Sequence, residues 1–137
     1  MRGTLNRHAD GDVIFRQGDA PGEMYVIREG SASVSRLDGG TETSLATLVK
    51  GDFFGEMSLF DGKPRSATVK AVGDVMVEAI GKDRLMEQVG DPVVWNMLVK
   101  LSGRIRAVDD SLEKLTVEDA SRRDALSSIA IRRNLYY

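Results

Sequence analysis

Glycine–aspartate turns cut this chain into short pieces. Gly11-Asp12, Gly18-Asp19, Asp38-Gly39-Gly40, Gly51-Asp52, Asp61-Gly62 and Gly73-Asp74 recur through the first eighty residues. Glycine supplies the positive φ of tight turns, and an aspartate side chain bonds to the nearby backbone. Between the turns lie short apolar or alternating runs: Val13–Phe15, Met24–Ile27, Ser31–Leu37, Ser44–Val49, Ser66–Val72 and Val75–Ile80. Many short strands at this spacing predict an antiparallel β-barrel or jelly roll. Within Ser31–Leu37, alternation places Ala32, Val34 and Arg36 on one face and Ser31, Ser33 and Ser35 on the other. Asp38-Gly39-Gly40, between two such runs, predicts a hairpin.

After Ile80 the pattern becomes helical. Lys82–Val89 reads as a short helix stopped by Gly90. Asp91 then offers an N-cap acceptor, with Pro92 at the first helical position. Val94, Leu98, Leu101, Ile105, Val108, Leu112 and Leu115 follow at spacings of 4, 3, 4, 3, 4 and 3. That is a coiled-coil seam with Leu98, Ile105 and Leu112 at a and the others at d. Two readings stand: a parallel homodimer through the 94–115 helix, or a stripe packed back onto the barrel. In a parallel pair, Arg104 at g would reach Asp109 at e of the second copy. Trp95 is expected to pack between helix and barrel.

The fold class is therefore mainly β with C-terminal helices: a barrel or jelly roll (1–81), then a short helix and a long amphipathic one (82–115). Residues 116–137 read as a helical tail with Ala125, Leu126 and Ile129 inward. Its Arg122-Arg123 and Arg132-Arg133 pairs read as a solvated face.

One stretch carries the chemistry. Phe54–Thr68 reads Phe-Gly-Glu-Met-Ser-Leu-Phe-Asp-Gly-Lys-Pro-Arg-Ser-Ala-Thr. Gly55 lets the backbone approach a ligand closely. Glu56, Met57 and Ser58 would open a short helix whose unpaired N–H groups suit an anion. Arg65 can fork onto two phosphate oxygens. Ser66 and Thr68, two apart on a strand, would share a face and add hydroxyl donors. Glu56 would repel a phosphate, yet it suits a sugar hydroxyl. Together these parts fit a small cyclic phosphodiester.

Phe54-Gly55-Glu56-Met57-Ser58-Leu59 followed by Pro64-Arg65-Ser66-Ala67-Thr68-Val69 resembles the phosphate-binding cassette of cyclic-nucleotide-binding domains. Such domains occur in catabolite-activator-type regulators, protein kinase A regulatory subunits and cyclic-nucleotide-gated channels. The resemblance covers roughly residues 5 to 115. It implies that Arg65 pairs with the phosphate, Glu56 holds the ribose 2′-hydroxyl, and Phe54, Gly55, Met57, Ser58, Ser66, Ala67 and Thr68 complete the ligand site. It also implies a lid over the base from the long helix, with Arg104 or a neighbour as candidate. In the family, threonine after the arginine goes with cGMP and smaller residues with cAMP. Ser66 carries the hydroxyl without the methyl, so cAMP is expected in preference to cGMP. Catabolite-activator-type proteins dimerise through a long helix in this same place, so the resemblance agrees with the homodimer.

The chain departs from the transcription-factor branch. Twenty-two residues after 115 are too few for a helix-turn-helix, and the usual helical segment before the barrel is lacking. The expected role is a sensor that signals through its C-terminal helices to an effector the sequence does not name. The alternatives are a dimerisation or interaction module with a vestigial pocket, or a regulator-like sensor without its DNA reader.

Composition narrows the classes further. With 137 residues, 42% apolar and 29% charged, the chain is one globular domain. A formal charge of −2 argues against general affinity for nucleic acid. There is no cysteine, which fits a reducing compartment. No run nears the roughly eighteen apolar residues of a membrane span, and the N-terminus lacks a signal-peptide core. The chain reads as cytoplasmic. Catalysis is not expected: His8 is the sole histidine, so neither a histidine-rich metal site nor an activated serine can be assembled.

Overall fold

In the computed structural model the described residues are 3–118, with side chains described as far as Val108. The chain forms strands β1 (Thr4–His8), β2 (Val13–Phe15), β3 (Met24–Asp38), β4 (Thr41–Val49) and β5 (Phe53–Phe54). Helix α1 (Glu56–Asp61), strand β6 (Thr68–Ile80) and helices α2 (Lys82–Val89) and α3 (Pro92–Glu118) complete it. The strands make one antiparallel sheet in the order β1-β6-β3-β4, with β2 added to β6 and β5 to β3. This is the antiparallel roll followed by helices that the turn pattern implied.

Two long strands organise the roll. β3 and β6 pair from Met24↔Ile80 to Ser35↔Thr68. β5 and β4 share the other edge of β3, while β1 and β2 share that of β6. The sequence runs Met24–Ile27 and Ser31–Leu37 are thus one strand, as are Val75–Ile80 and most of Ser66–Val72. Gly73-Asp74 is not a hairpin turn but an irregularity inside β6: Gly73 has φ 69° and its N–H donates to Asp10 Oδ1 at 2.7 Å. By contrast, Asp38 pairs with Thr41, and Gly39 and Gly40 both have positive φ (56° and 85°). That is the two-residue primed turn the sequence calls for.

The core lies on one face of the sheet. Ala32, Val34, Leu45, Leu48, Val69, Ala71, Val75 and Val77 are buried with Ile27, Phe15 and Phe54. Ala32, Val34 and Arg36 do face inward, Arg36 with its Nε donating to Ser66 C=O at 3.1 Å. Burying these branched side chains supplies about 25 cal/mol per Å² of apolar surface. β1 is the strand the periodicity misses, because four of its five residues are exposed.

Helix boundaries follow their caps. α2 ends at Gly90 (φ 68°), whose N–H donates to Met86 C=O. Asp91 starts α3: its Oδ1 accepts the Val93 N–H at 2.8 Å and its C=O the Trp95 N–H. α3 continues past 115 to Glu118. It packs back against α1, with the Trp95 ring 5.2 Å from that of Phe60. The seam is therefore divided. Leu98 and Ile105 line a groove against the roll, Leu101 borders the same groove while 47% exposed, and Val94 and Val108 stand outside it at 42% and 45% exposure. The side chains of Asp109, Leu112 and Leu115 and the tail from 119 lie outside the described residues. Among the described residues no helix is long and apolar enough to cross a membrane.

Candidate ligand site

The site is built where β5 runs into α1 and where the following loop returns to β6. Gly55 caps α1 with φ 80° and ψ 7°, a conformation that costs other residues about 1–2 kcal/mol. The turn brings the Gly55 carbonyl onto Arg65. Nη1 of Arg65 donates to Gly55 C=O at 2.9 Å and Nη2 to Glu23 C=O at 2.7 Å. Its Cζ lies 4.1 Å from the centre of the Phe15 ring, a cation–π distance. Arg65 is 5% exposed, and it makes no ion pair with a carboxylate among the described residues. Burial pulls the guanidinium below its usual range, and Tyr25, Asp19, Glu23 and Glu56 oppose that pull.

The backbone of Arg65 is pinned as firmly as its side chain. Its C=O accepts the Gly18 N–H at 2.8 Å and its N–H donates to Asp19 C=O at 2.9 Å. Phe15, Gly55, Met57, Ser58, Arg65, Ser66 and Ala67 line one recess around the guanidinium. Five residues from the sequence motif, besides Arg65 itself, therefore converge on it.

Glu56 stands at the entrance to α1. One carboxylate oxygen, Oε2, is buried without a hydrogen-bond partner. Desolvation pushes its pKa up to about 7, against the lowering effects of its own backbone N–H, Arg65 and Arg106. No ion pair links Glu56 to Arg65. Near neutral pH the carboxyl is thus partly uncharged, which relieves its conflict with an anion nearby. Glu56 opens on an apolar groove of about 620 Å³ between the roll, α2 and α3, lined also by Phe53, Phe60, Leu98, Leu101 and Ile105.

Three residues of the expected site line neither the Arg65 recess nor this groove. Phe54 is fully buried and stacks on Tyr25 at 5.2 Å, so it braces the site from within the core. Thr68 lies on the face opposite to Ala67 and Val69, and its Oγ1 accepts the Gln17 N–H at 2.9 Å. It does not share a face with the recess; the chain bends at Ser66 and Ala67 before β6 begins, which breaks the strand alternation assumed for the pair. Arg104 is exposed on α3. The arginine that reaches the motif is Arg106, two residues on, whose Nε and Nη2 fork onto Asp61. Helical periodicity is the reason: 106 shares the inward face with Ser102, whereas 104 does not.

Sequence reasoning passed over Phe15, Glu23 and Arg106. Glu23 acts through its carbonyl and carries no side-chain signal. Pro21-Gly22 just before it was the available hint, since a Cβ at Gly22 would stand 3.1 Å from Arg65 Nη2.

Residues 5–91 match the family model described as the cyclic nucleotide-binding domain. The chain is 40% identical over 84 residues to a cAMP-dependent protein kinase regulatory subunit of Blastocladiella emersonii, covering 61% of this chain and 21% of that one. It is 33% identical over 129 residues to the Cyclic AMP receptor protein of Thermus thermophilus, covering 92% and 60% respectively. The chain thus spans a fifth of the first relative and three fifths of the second. Its fold superposes on the cAMP-bound form of EAL enzyme Bd1971 with a TM-score of 0.68 and 29% identity, over 84% of this chain and 32% of that one. With the matched model spanning more than half of its length, the chain belongs to the cyclic nucleotide-binding domain family.

Proposed function

We propose that the chain is a cyclic-nucleotide sensor, selective for cAMP over cGMP, without catalytic activity of its own, that acts on a partner protein through its C-terminal helices. The observation that carries this reading is Arg65. A buried guanidinium held by two carbonyls, with no carboxylate in ion-pair contact among the described residues, is prepared for an anion. The cyclic phosphate meets Arg65, the backbone N–H groups at the start of α1 and the Ser66 hydroxyl. The ribose 2′-hydroxyl donates to Glu56, whose Oε2 otherwise has no partner. Ser66 lacks the methyl that goes with guanine in the family, and relatives named for cAMP support the same base.

A homodimer through α3 belongs to this reading. Val94, Leu101 and Val108, seven apart, are apolar and exposed, and a second copy of the same helix buries such a stripe.

Isothermal titration calorimetry with cAMP and, separately, cGMP tests the proposal on protein unfolded and refolded to strip carried nucleotide. Saturable micromolar or tighter binding of cAMP, weaker for cGMP, is expected. No heat and no thermal stabilisation by either nucleotide in excess would leave only an interaction module with a vestigial pocket.

A further inference from the structure

We propose that Arg106 and Asp61 form a latch that fixes α3 over the cassette and sets how slowly a bound nucleotide leaves; this rests on the ligand-site reading above. One guanidinium spans the whole motif. Arg106 forks onto both carboxylate oxygens of Asp61, and its Nη2 also reaches Ser58 Oγ at 3.4 Å and Pro64 C=O at 3.3 Å. It thereby touches the first turn of α1, its last residue and the residue before Arg65.

Asp61 is a joint rather than a surface acid. Its Oδ1 also accepts the Lys63 N–H at 2.9 Å, closing the turn that leads to Pro64 and Arg65. The side chains of Arg106 and Asp61 are 11% and 9% exposed. One turn earlier on α3, Ser102 Oγ donates to Met57 C=O at 3.5 Å. Two turns earlier still, Trp95 packs on Phe60. Trp95, Ser102 and Arg106 lie on one face of α3, and Arg106 makes the ionic contact of the three.

The physics gives the sign. When α3 lifts, both ions regain water, so an intact pair favours closure only modestly. Removing one partner leaves the other buried and unpaired in the closed state alone, which tips the balance toward opening. The groove beside Glu56 is walled by Leu98, Leu101, Ser102 and Ile105 of this same helix. Opening therefore widens the groove on the Glu56 side, where the ribose is placed. Arg106 is a positioning residue on this account, and its signature is kinetic.

Stopped-flow measurement with cAMP carrying a fluorophore on its base, leaving the ribose hydroxyl free, tests the latch. Arg106→Gln and Asp61→Asn should each release nucleotide about tenfold faster with association unchanged within about twofold. The double variant should release no faster than either single one. Arg106→Lys, which keeps charge and stem but not the fork, should fall between and guards against loss of fold. Wild-type release that the variants leave unchanged, or effects of the two single variants that multiply independently, would overturn the latch and leave the ligand site standing. A wild-type protein that binds neither cAMP nor cGMP would overturn both.

Discussion

Gly55 and Arg65 are fitted to each other. The Gly55 carbonyl accepts from Arg65 Nη1 at 2.9 Å, and a Cβ at Gly55 would stand 2.8 Å from that same nitrogen. Glu23 C=O and the Phe15 ring would each be 3.2 Å away. Backbone conformation and lack of a side chain are therefore both needed, for different reasons.

Gly55→Ala should lose about 1–2 kcal/mol of stability from the left-handed backbone and, in addition, push Arg65 off its carbonyl. Calorimetry should show cAMP affinity reduced at least about tenfold. Gly62→Ala is the control: it has φ +68° but nothing within 4 Å of the added Cβ. It should lose stability alone. Equal affinities in the two variants would separate Gly55 from the ligand.

Arg65→Leu should weaken nucleotide binding by about 2–4 kcal/mol. The structure adds a cost to the fold as well. Leucine leaves the carbonyls of Gly55 and Glu23 without their donor, for about 1–3 kcal/mol each if they stay dry. Thermal unfolding should thus shift downward together with affinity. Arg65→Lys, keeping one charge and losing the fork, should retain part of both.

What the sequence made legible was local. The span of α2, the Asp91 cap, the hairpin at Gly39-Gly40 and the inward face of β3 all follow from nearest-neighbour chemistry, and each is present. What it hid was set by distant contacts. Gly73 reads as a turn until Asp10, sixty-three residues away, accepts its N–H. The heptad of α3 reads as one seam until the roll claims Leu98 and Ile105. At the recess, Gly55 and Arg65, which meet through a backbone carbonyl and a guanidinium, stood out in the motif. Phe15 and the Glu23 carbonyl did not, because nothing local distinguishes them from core or loop. Arg104 and Arg106 differ only in which side of a helix faces α1, and that is decided by tertiary packing.

Glu56 makes stability depend on pH. Its carboxyl is raised from 4.5 to about 7 by burial, so the folded state holds its proton more tightly than the unfolded chain. Below about 4.5 both states are protonated and the group contributes no penalty. As pH rises from there to about 7 the unfolded chain ionises first, and stability falls, by on the order of 3 kcal/mol at most. Wild-type protein should therefore lose melting temperature relative to Glu56→Gln across this window, with the difference vanishing at its acid end. Parallel melting curves at all pH values would contradict the burial of the ionised form.

Trp95, the sole tryptophan, packs on Phe60 of α1 and reports on the α1–α3 contact. Its emission should change as cAMP is titrated, with a midpoint matching calorimetry. Phe60→Leu should alter the emission without ligand and reduce the change on titration. An emission insensitive to saturating nucleotide would mean that α3 does not adjust at Trp95.

The exposed stripe on α3 makes a sharper demand than its companions Leu98 and Ile105, because its three residues remain 42–47% exposed. A strict seven-residue repeat of Val94, Leu101 and Val108 is buried well by a helix of the same pitch, and a parallel copy places each residue against itself. Val94→Glu with Val108→Glu would set like charges opposite each other at two levels of that seam. Sedimentation should then show a dimer for wild type and a monomer for the double variant. Since neither residue lines the groove or the Arg65 recess, nucleotide affinity per chain should persist within a few fold if the ligand is held within one subunit. A monomer that also loses its nucleotide would mean instead that the second copy's helix helps to cover the base.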